Sequence, residues 1–275
     1  MSVHKAAKQK RCWKNLSGVI LTAAIFLLVP WSALAQIYFG ITPIRFELKA
    51  RPGGQVTEVI YVRNNSSKPV RIKVYAENWF LGEDGSRNFI GNRPAPYSVR
   101  DWVRVNPFDF RLQPEEIKSV RFTVSVPAEV LPGGYHVAVS FEQVPEAPGG
   151  GRLGQVAFTG KIVAAVYVTV GKPEIQGQLE DLVFESSQGQ QFIKLKITNS
   201  GRYHFRLKGE VIIKNAEGKR VVRLDIPDEP VLPETLRWLE LRLPENLPPG
   251  EYLAEAFLDI GREELLGLKK EFSVR

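Results

Sequence analysis

The sequence predicts an all-β chain built as two β-sandwich domains in tandem behind a secretory leader. Three observations carry this: apolar residues recur with a period close to two, turn-forming clusters interrupt them at short spacing, and one punctuation motif occurs twice. The two copies are Pro127-Ala128-Glu129-Val130-Leu131-Pro132-Gly133-Gly134-Tyr135 and Pro244-Glu245-Asn246-Leu247-Pro248-Pro249-Gly250-Glu251-Tyr252. Both read P-x-x-[V/L]-x-P-G-x-Y, and each closes one alternating run and opens another. Proline and glycine set such a turn, and the tyrosine that begins the next strand hydrogen-bonds back to the corner that delivered it. That is the tyrosine corner of immunoglobulin-like sandwiches. Two tandem immunoglobulin-like domains are therefore expected.

The leader comes first. Lys5, Lys8, Lys10, Arg11 and Lys14 precede an apolar run from Val19 to Val29, and Ala33-Leu34-Ala35 follows. A charged, then apolar, then small-residue order is that of a secretory signal peptide over residues 1–35, with a mature chain starting near Gln36. The apolar run is shorter than the ~20 residues that span a bilayer, so no stable membrane span is expected after cleavage. Loss of the leader removes five basic residues and no acidic one, which lowers the formal charge of +7 to +2. Nothing global then favours nucleic acid as a partner. The single cysteine, Cys12, lies ahead of the apolar run and leaves with the leader. The mature chain can hold no disulfide, zinc–thiolate site or thiol nucleophile, and its stability must come from packing.

Beyond the leader, Val70, Ile72, Val74 and Ala76 alternate with Arg71, Lys73 and Tyr75. Val120, Phe122, Val124 and Val126, and later Leu239, Leu241 and Leu243, repeat the pattern. Each is a half-buried strand with one wet face. Asn64-Asn65-Ser66-Ser67-Lys68-Pro69, Gly82-Glu83-Asp84-Gly85, Asn199-Ser200-Gly201 and Asn215-Ala216-Glu217-Gly218 supply turns between strands. Gly171-Lys172-Pro173 ends a strand expected from Phe158 to Val170, giving a first domain over 36–171 and a second over 172–275. The Pro/Gly-rich connection from Glu142 to Gln155 reads as a mobile loop of the kind that carries binding function.

Catalytic signals are scarce. His136 and His204 fall on alternating strands beside turn residues and read as surface-strand histidines. No G-x-S-x-G or H-E-x-x-H accompanies them. Glu180 and Asp181 are adjacent, so a strand sends them to opposite faces, which is poor placement for an acid/base couple. Gly149-Gly150-Gly151 lacks the helix and lysine of a phosphate loop. The expectation is a non-enzymatic protein with no catalytic residue, no metal site and no cofactor.

Three segments of the first domain carry a family resemblance. These are Val62-Arg63-Asn64-Asn65-Ser66-Ser67-Lys68-Pro69-Val70, then Val105-Asn106-Pro107-Phe108-Asp109-Phe110-Arg111-Leu112-Gln113-Pro114 with Val120-Arg121-Phe122, and Val139 to Pro145. Together they resemble the N-terminal domain of the periplasmic pilus-assembly chaperones, the PapD-like family. The second domain is similar only as a sandwich. The resemblance implies a periplasmic or secreted chaperone that binds a protein client, a pilus or other envelope subunit, by β-strand donation. On that analogy Val156 and Phe158 are the donor residues, one face of the strand after the long loop. Arg45 falls where the family's first carboxylate anchor is expected, and a guanidinium suits a carboxylate. The family's second anchor, a lysine, falls at Val163, with Lys161 the nearest base two residues earlier on the same face. The family's charged Asp-Arg-Glu-Ser run is replaced here by Gly133-Gly134-Tyr135-His136. The tandem layout is also similar to WxL-interacting cell-surface proteins, which implies instead a non-catalytic wall-associated or adhesive module with Trp79, Trp102 and Trp238 available for sugar stacking.

Overall fold

In the computed structural model the described residues are 38–144 and 160–275, and strands dominate them. The front sandwich contains β1 (Phe39–Thr42), β2 (Arg45–Ala50), β3 (Gln55–Asn64), β4 (Val70–Leu81), β5 (Arg87–Gly91), β6 (Val103–Asn106), β7 (Asp109–Leu112), β8 (Ile117–Ser125), β9 (Gly133–Val144) and β10 (Lys161–Val170). The rear sandwich contains β11 (Gly177–Ser187), β12 (Gln190–Asn199), β13 (Phe205–Arg206), β14 (Lys208–Asn215), β15 (Arg220–Ile226), β16 (Pro230–Val231), β17 (Thr235–Arg242), β18 (Gly250–Asp259) and β19 (Leu266–Val274). One short 3-10 turn, Arg100–Trp102, is the helical element among them. No helix of the described residues is long and apolar enough to cross a membrane.

In the front sandwich one sheet runs β1-β3-β8-β6 and the other β2-β10-β9-β4-β5, with β7 also on β4. The opening segment of the sandwich serves both through two successive strands. β1 pairs antiparallel with β3, the chain is interrupted at Pro43, and β2 then pairs parallel with β10 in the opposite sheet. Proline cannot donate to a ladder, so the switch falls where a backbone N–H is dispensable. The alternation read from sequence points inward as expected. Val70, Ile72 and Val74, and Val120, Phe122 and Val124, join one buried core that extends from Phe39 to Val170. The rear core, from Leu182 to Val274, lies between a β11-β12-β17 sheet and a β15-β14-β18-β19 sheet, with β13-β16 as a small addition. Each apolar side chain taken fully from water in these cores contributes about 1.5–3 kcal/mol before entropy is counted.

Both tyrosine corners form. The Tyr135 hydroxyl donates to the Leu131 carbonyl at 2.7 Å, and that of Tyr252 to the Pro248 carbonyl at 2.9 Å. A second repeated device accompanies them. Buried Asn64 donates through Nδ2 to the carbonyls of Lys68, Leu112 and Gln113, while its Oδ1 accepts from the Ser66 N–H. Buried Asn199 donates to the carbonyls of Tyr203, Val231 and Leu232 and accepts from the Gly201 N–H. Each asparagine substitutes for ladder bonds where a strand ends, which satisfies carbonyls that would otherwise be buried alone.

The expected loop starts later than the sequence suggested. Glu142, Gln143 and Val144 continue β9, paired with β4 and β10. The remainder of that loop, the glycine run and the leader lie outside the described residues.

The two sandwiches form one compact unit over residues 37–275. Gly134 shows how closely they approach: its N–H donates to the Arg202 carbonyl at 2.7 Å, and a Cβ there would lie 2.9 Å from the His204 backbone nitrogen. A side chain at this position has no room, which accounts for glycine here. The β4–β5 hairpin tip makes a second contact. The Trp238 N–H donates to the Glu83 carbonyl at 2.7 Å, and Gly85, with φ of +83°, sits so near the Arg237 guanidinium that a Cβ would collide with it.

Candidate functional site: the cleft between the sandwiches

The cleft floor is the outer face of the second front sheet. β10 presents Lys161, Val163, Ala165 and Tyr167 on this face, and their β9 partners are Glu142, Ser140, Ala138 and His136. Trp79, Leu81, Ala138, Tyr167 and, from the rear sandwich, Leu232 make a third apolar cluster there, with Phe89, Val163 and Ala165 packed against it. Above this floor lies an open cavity of about 610 Å³ whose lining includes Ile44, Phe89, Val163, Ala165 and Tyr167 together with Arg45, Arg87 and Arg206.

The edge of β10 is the second component. Parallel pairing with β2 covers β10 only from Ala165 to Val170. The ladder to β9 runs the whole length from Lys161. The Gln143 N–H reaches the Gly160 carbonyl and the Ala165 N–H reaches the Ile44 carbonyl, so even-numbered residues bond towards β9 and odd-numbered ones away from it. The backbone groups of Lys161 and Val163 therefore face outward with no neighbouring strand among the described residues. This stretch, Lys161-Ile162-Val163-Ala164, is mostly apolar.

The structure places Arg45 at the start of β2, in register with Ala165 and on the cleft face. Its Nη1 lies 2.8 Å from Asp228 Oδ2. Arg206 holds the other Asp228 oxygen through Nε, so one rear-sandwich carboxylate bridges two guanidiniums. These hydrogen bonds, first to Arg45 and then to Arg206, hold Asp228 below the usual carboxylate range, and the same bond raises Arg45. Lys161 is bound elsewhere. Its Nζ lies 2.8 Å from Glu77 Oε1 and 4.5 Å above the Phe89 ring, and the Ser140 hydroxyl donates to the same oxygen of the buried Glu77. Four residues of β10 separate Lys161 from the register position of Arg45, about 13 Å along a strand. The two share a face but do not converge on one point. Val156 and Phe158 lie outside the described residues.

The sequence reading missed Arg87, Arg206, Asp228 and Glu229. Arg87 lies 3.3 Å from Glu229, whose carboxylate is also 3.7 Å from the buried Arg237. Asp228-Glu229 sits between Pro227 and Pro230 and reads as an ordinary turn. No periodicity marks residues that matter only once the second sandwich folds against the first.

The histidines need correction. His136 is buried, not on a strand surface: its Nε2 is 2.9 Å from the Trp79 carbonyl, and its ring stands edge-on to Trp79 with centroids 5.0 Å apart. Burial pushes its pKa down to about 4. The strand face that alternation marks as wet is covered here by the rear sandwich. His204 stacks on Tyr167 at 4.6 Å and bonds Glu47 across the boundary at 2.9 Å. Glu180 and Asp181 straddle a bulge and are held by different lysines, Lys196 and Lys270. Trp79 is buried, and Trp102 and Trp238 are half-buried. Among the described residues no group of histidine, cysteine and acidic side chains is arranged to hold a metal ion.

The two β-sandwiches flank a cleft lined by Arg45, Arg87 and Arg206 and floored by the rings of Phe89 and Tyr167. Solved structures with a similar fold include the class 5 fimbriae chaperone CfaA, at 17% identity and a TM-score of 0.47 over 84% of this chain and 98% of that one. The complex of the Salmonella enterica SafA pilin with the SafB chaperone matches at 14% identity and a TM-score of 0.43 over 87% and 98%. The Pseudomonas aeruginosa CupB2 chaperone matches at 13% and 0.42 over 86% and 100%. No family model and no curated protein matches the sequence.

Proposed function

We propose that this is an exported, non-enzymatic chaperone of the periplasm or cell envelope that holds a pilus or other envelope subunit by β-strand addition. One observation carries the reading: β2 begins at Arg45, and among the described residues no strand pairs with the outward backbone groups of Lys161 and Val163 beside the cleft. An open apolar edge is a template for another chain's strand. In a monomer it is a liability, and as a binding surface it is the means of capture. The residues that carry the family resemblance lie in the same front sandwich. Arg45 serves as the charged anchor of the client's terminal carboxylate in this reading, competing with Asp228, and Lys161 serves as a second cation further along the edge. Val156 and Phe158 extend the donor face on sequence grounds alone.

Proline substitutions test this directly. Val163→Pro removes an outward N–H and no β9 bond, so the fold should persist while the client no longer co-purifies with the exported protein. Ala164→Pro removes a β9 bond and should cost about 3 kcal/mol or more of stability. A Val163→Pro protein that still carries its client would eliminate strand addition at this edge.

A further inference from the structure

We propose that the outer face of the β1-β3-β8-β6 sheet binds an anionic polysaccharide laid across its strands. Arg104 and Arg121 take the acidic groups, and Tyr61 lies under a sugar ring. This site is on the opposite side of the front sandwich from the cleft and does not depend on strand addition. Alternation defines the face. Ile60, Val62, Val103, Val120, Phe122 and Val124 are buried in the core, so the residues between them point out. The outward positions of the four strands hold Arg63, Arg104 and Arg121 and no carboxylate. Arg63 is paired with Glu115, from the turn before β8. Arg104 donates to the backbone carbonyls of Asp101 and Val103, and Arg121 has no hydrogen-bond or ion-pair partner among the described residues. Other strand faces neutralise their cations: Lys161 meets Glu77, Lys194 meets Glu185, Lys214 meets Glu255 and Arg223 meets Glu210.

Register sets the three groups in line. Arg104 is opposite Thr123, Arg121 is opposite Asn106 and Val59, and Tyr61 is opposite Ser119. Each is therefore one diagonal step from the next, about 7–8 Å, in a row that crosses β6, β8 and β3. Tyr61 is 51% exposed, and the same diagonal next reaches Gly40 on β1, which presents no side chain. Thr42, Thr57, Ser119 and Thr123 surround the row with hydroxyls, Thr57 and Thr123 bonding each other at 2.7 Å. This chemistry selects among polyanions. A guanidinium pairs with a carboxylate through parallel hydrogen bonds, an exposed phenol ring offers its face to the C–H face of a sugar, and hydroxyls suit hydroxyls. The exposed aliphatic side chain of the face, Ile117, sits at the start of β8 and not at the centre. A protein partner needs an apolar centre, and a bilayer needs a broad apolar surface to take in.

The test uses the full exported protein, with polygalacturonate as the probe and dextran as its neutral counterpart, and reads binding by calorimetry at low salt. Polygalacturonate should bind and dextran should not. Arg104→Ser combined with Arg121→Ser should weaken binding about tenfold, the worth of two exposed ion pairs, at unchanged Tm. Arg223→Ser, which removes a paired cation of the rear sandwich, should bind as the parent does. Tyr61→Ser should weaken binding severalfold and leave its salt dependence unchanged, a loss that bare charge attraction does not produce. Equal binding by Tyr61→Ser and the parent, or a loss from Arg223→Ser as large as that from the two face arginines, would overturn the site as general charge attraction. Tighter binding to phosphatidylglycerol vesicles or duplex DNA than to polygalacturonate would overturn the polysaccharide as its occupant. Absence of polygalacturonate binding by the parent would overturn the proposal outright. Client co-purification should survive every one of these variants, so a failure here leaves the strand-addition reading standing.

Discussion

The front and rear sandwiches solve the same corner problems in the same way but finish their last strands differently. Tyr135 and Tyr252 close equivalent corners, and Asn64 and Asn199 brace equivalent strand ends. The final rear strand, β19, pairs with β18 along its whole length, and its other side has no ladder among the described residues. That side belongs to a strand carrying Lys269, Lys270 and Glu271 in succession. Charge of this kind blunts an edge against wrong pairing. The start of β10, with no strand on its outer side among the described residues, reads Lys161-Ile162-Val163-Ala164, a mostly apolar run. The difference teaches that edge chemistry here is local: the same architecture carries one border rich in charge and one that is mostly apolar.

The largest test of the shared part is removal of the asparagine brackets. Asn64→Ala and Asn199→Ala should each cost about 3–4 kcal/mol, because each strands several buried carbonyls. Calorimetry should show similar losses for the two. A cost below about 1 kcal/mol for either would break the equivalence of the corners.

The next test separates the sandwiches by pH. After Tyr135 comes buried His136, whereas after Tyr252 comes Leu253. The folded pKa of His136, about 4, lies below the usual unfolded value of about 6.5. As pH falls, the unfolded chain takes up the proton first. Stability contributed by the neutral imidazole is present above about 6.5, is lost between about 6.5 and 4, and does not change further below that. The loss should reach up to about 3 kcal/mol, and His136→Gln should remove it, measured as the difference in pH–stability slope between variant and parent. An unchanged slope would assign acid sensitivity to carboxylates alone.

Smaller effects sharpen the comparison further. Tyr135→Phe and Tyr252→Phe should each cost about 1 kcal/mol in denaturant unfolding, one corner hydrogen bond apiece. A markedly larger effect at Tyr135 would show that its packing against Trp102, with centroids 4.7 Å apart, matters more than its hydroxyl. Least of all, Arg45→Ala should shift stability by about 0.5 kcal/mol or less, since both partners of its ion pair are nearly half exposed. Client association should nevertheless drop sharply, and a variant that kept its client would remove Arg45 as an anchor.

Much of this was legible in sequence, and the illegible part has one physical origin. Alternation gave strands such as β4 and β8, and the P-G-x-Y motifs gave the corners, because both signals are local. Arg45 was visible as a candidate carboxylate anchor, but its partner Asp228 is 183 residues away. His136 looked wet because period-two reasoning assumes one solvent face, and the rear sandwich covers that face. Gly133-Gly134 looked like a departure from a family pattern, and close backbone approach accounts for it at Gly134. The parallel pairing that reaches β10 only from Ala165 onward is likewise invisible along the chain, because strand order is a property of the folded sheet.

The Glu83–Trp238 backbone bond and the buried Arg237 beneath Gly85 have a practical consequence. The two halves are held by these contacts as well as by the covalent link through Gly171, Lys172 and Pro173. A single protease nick between Gly171 and Lys172 should yield two fragments that migrate as one species in native buffer and part only in denaturant, so intact mass under native conditions is no proof of an intact polypeptide.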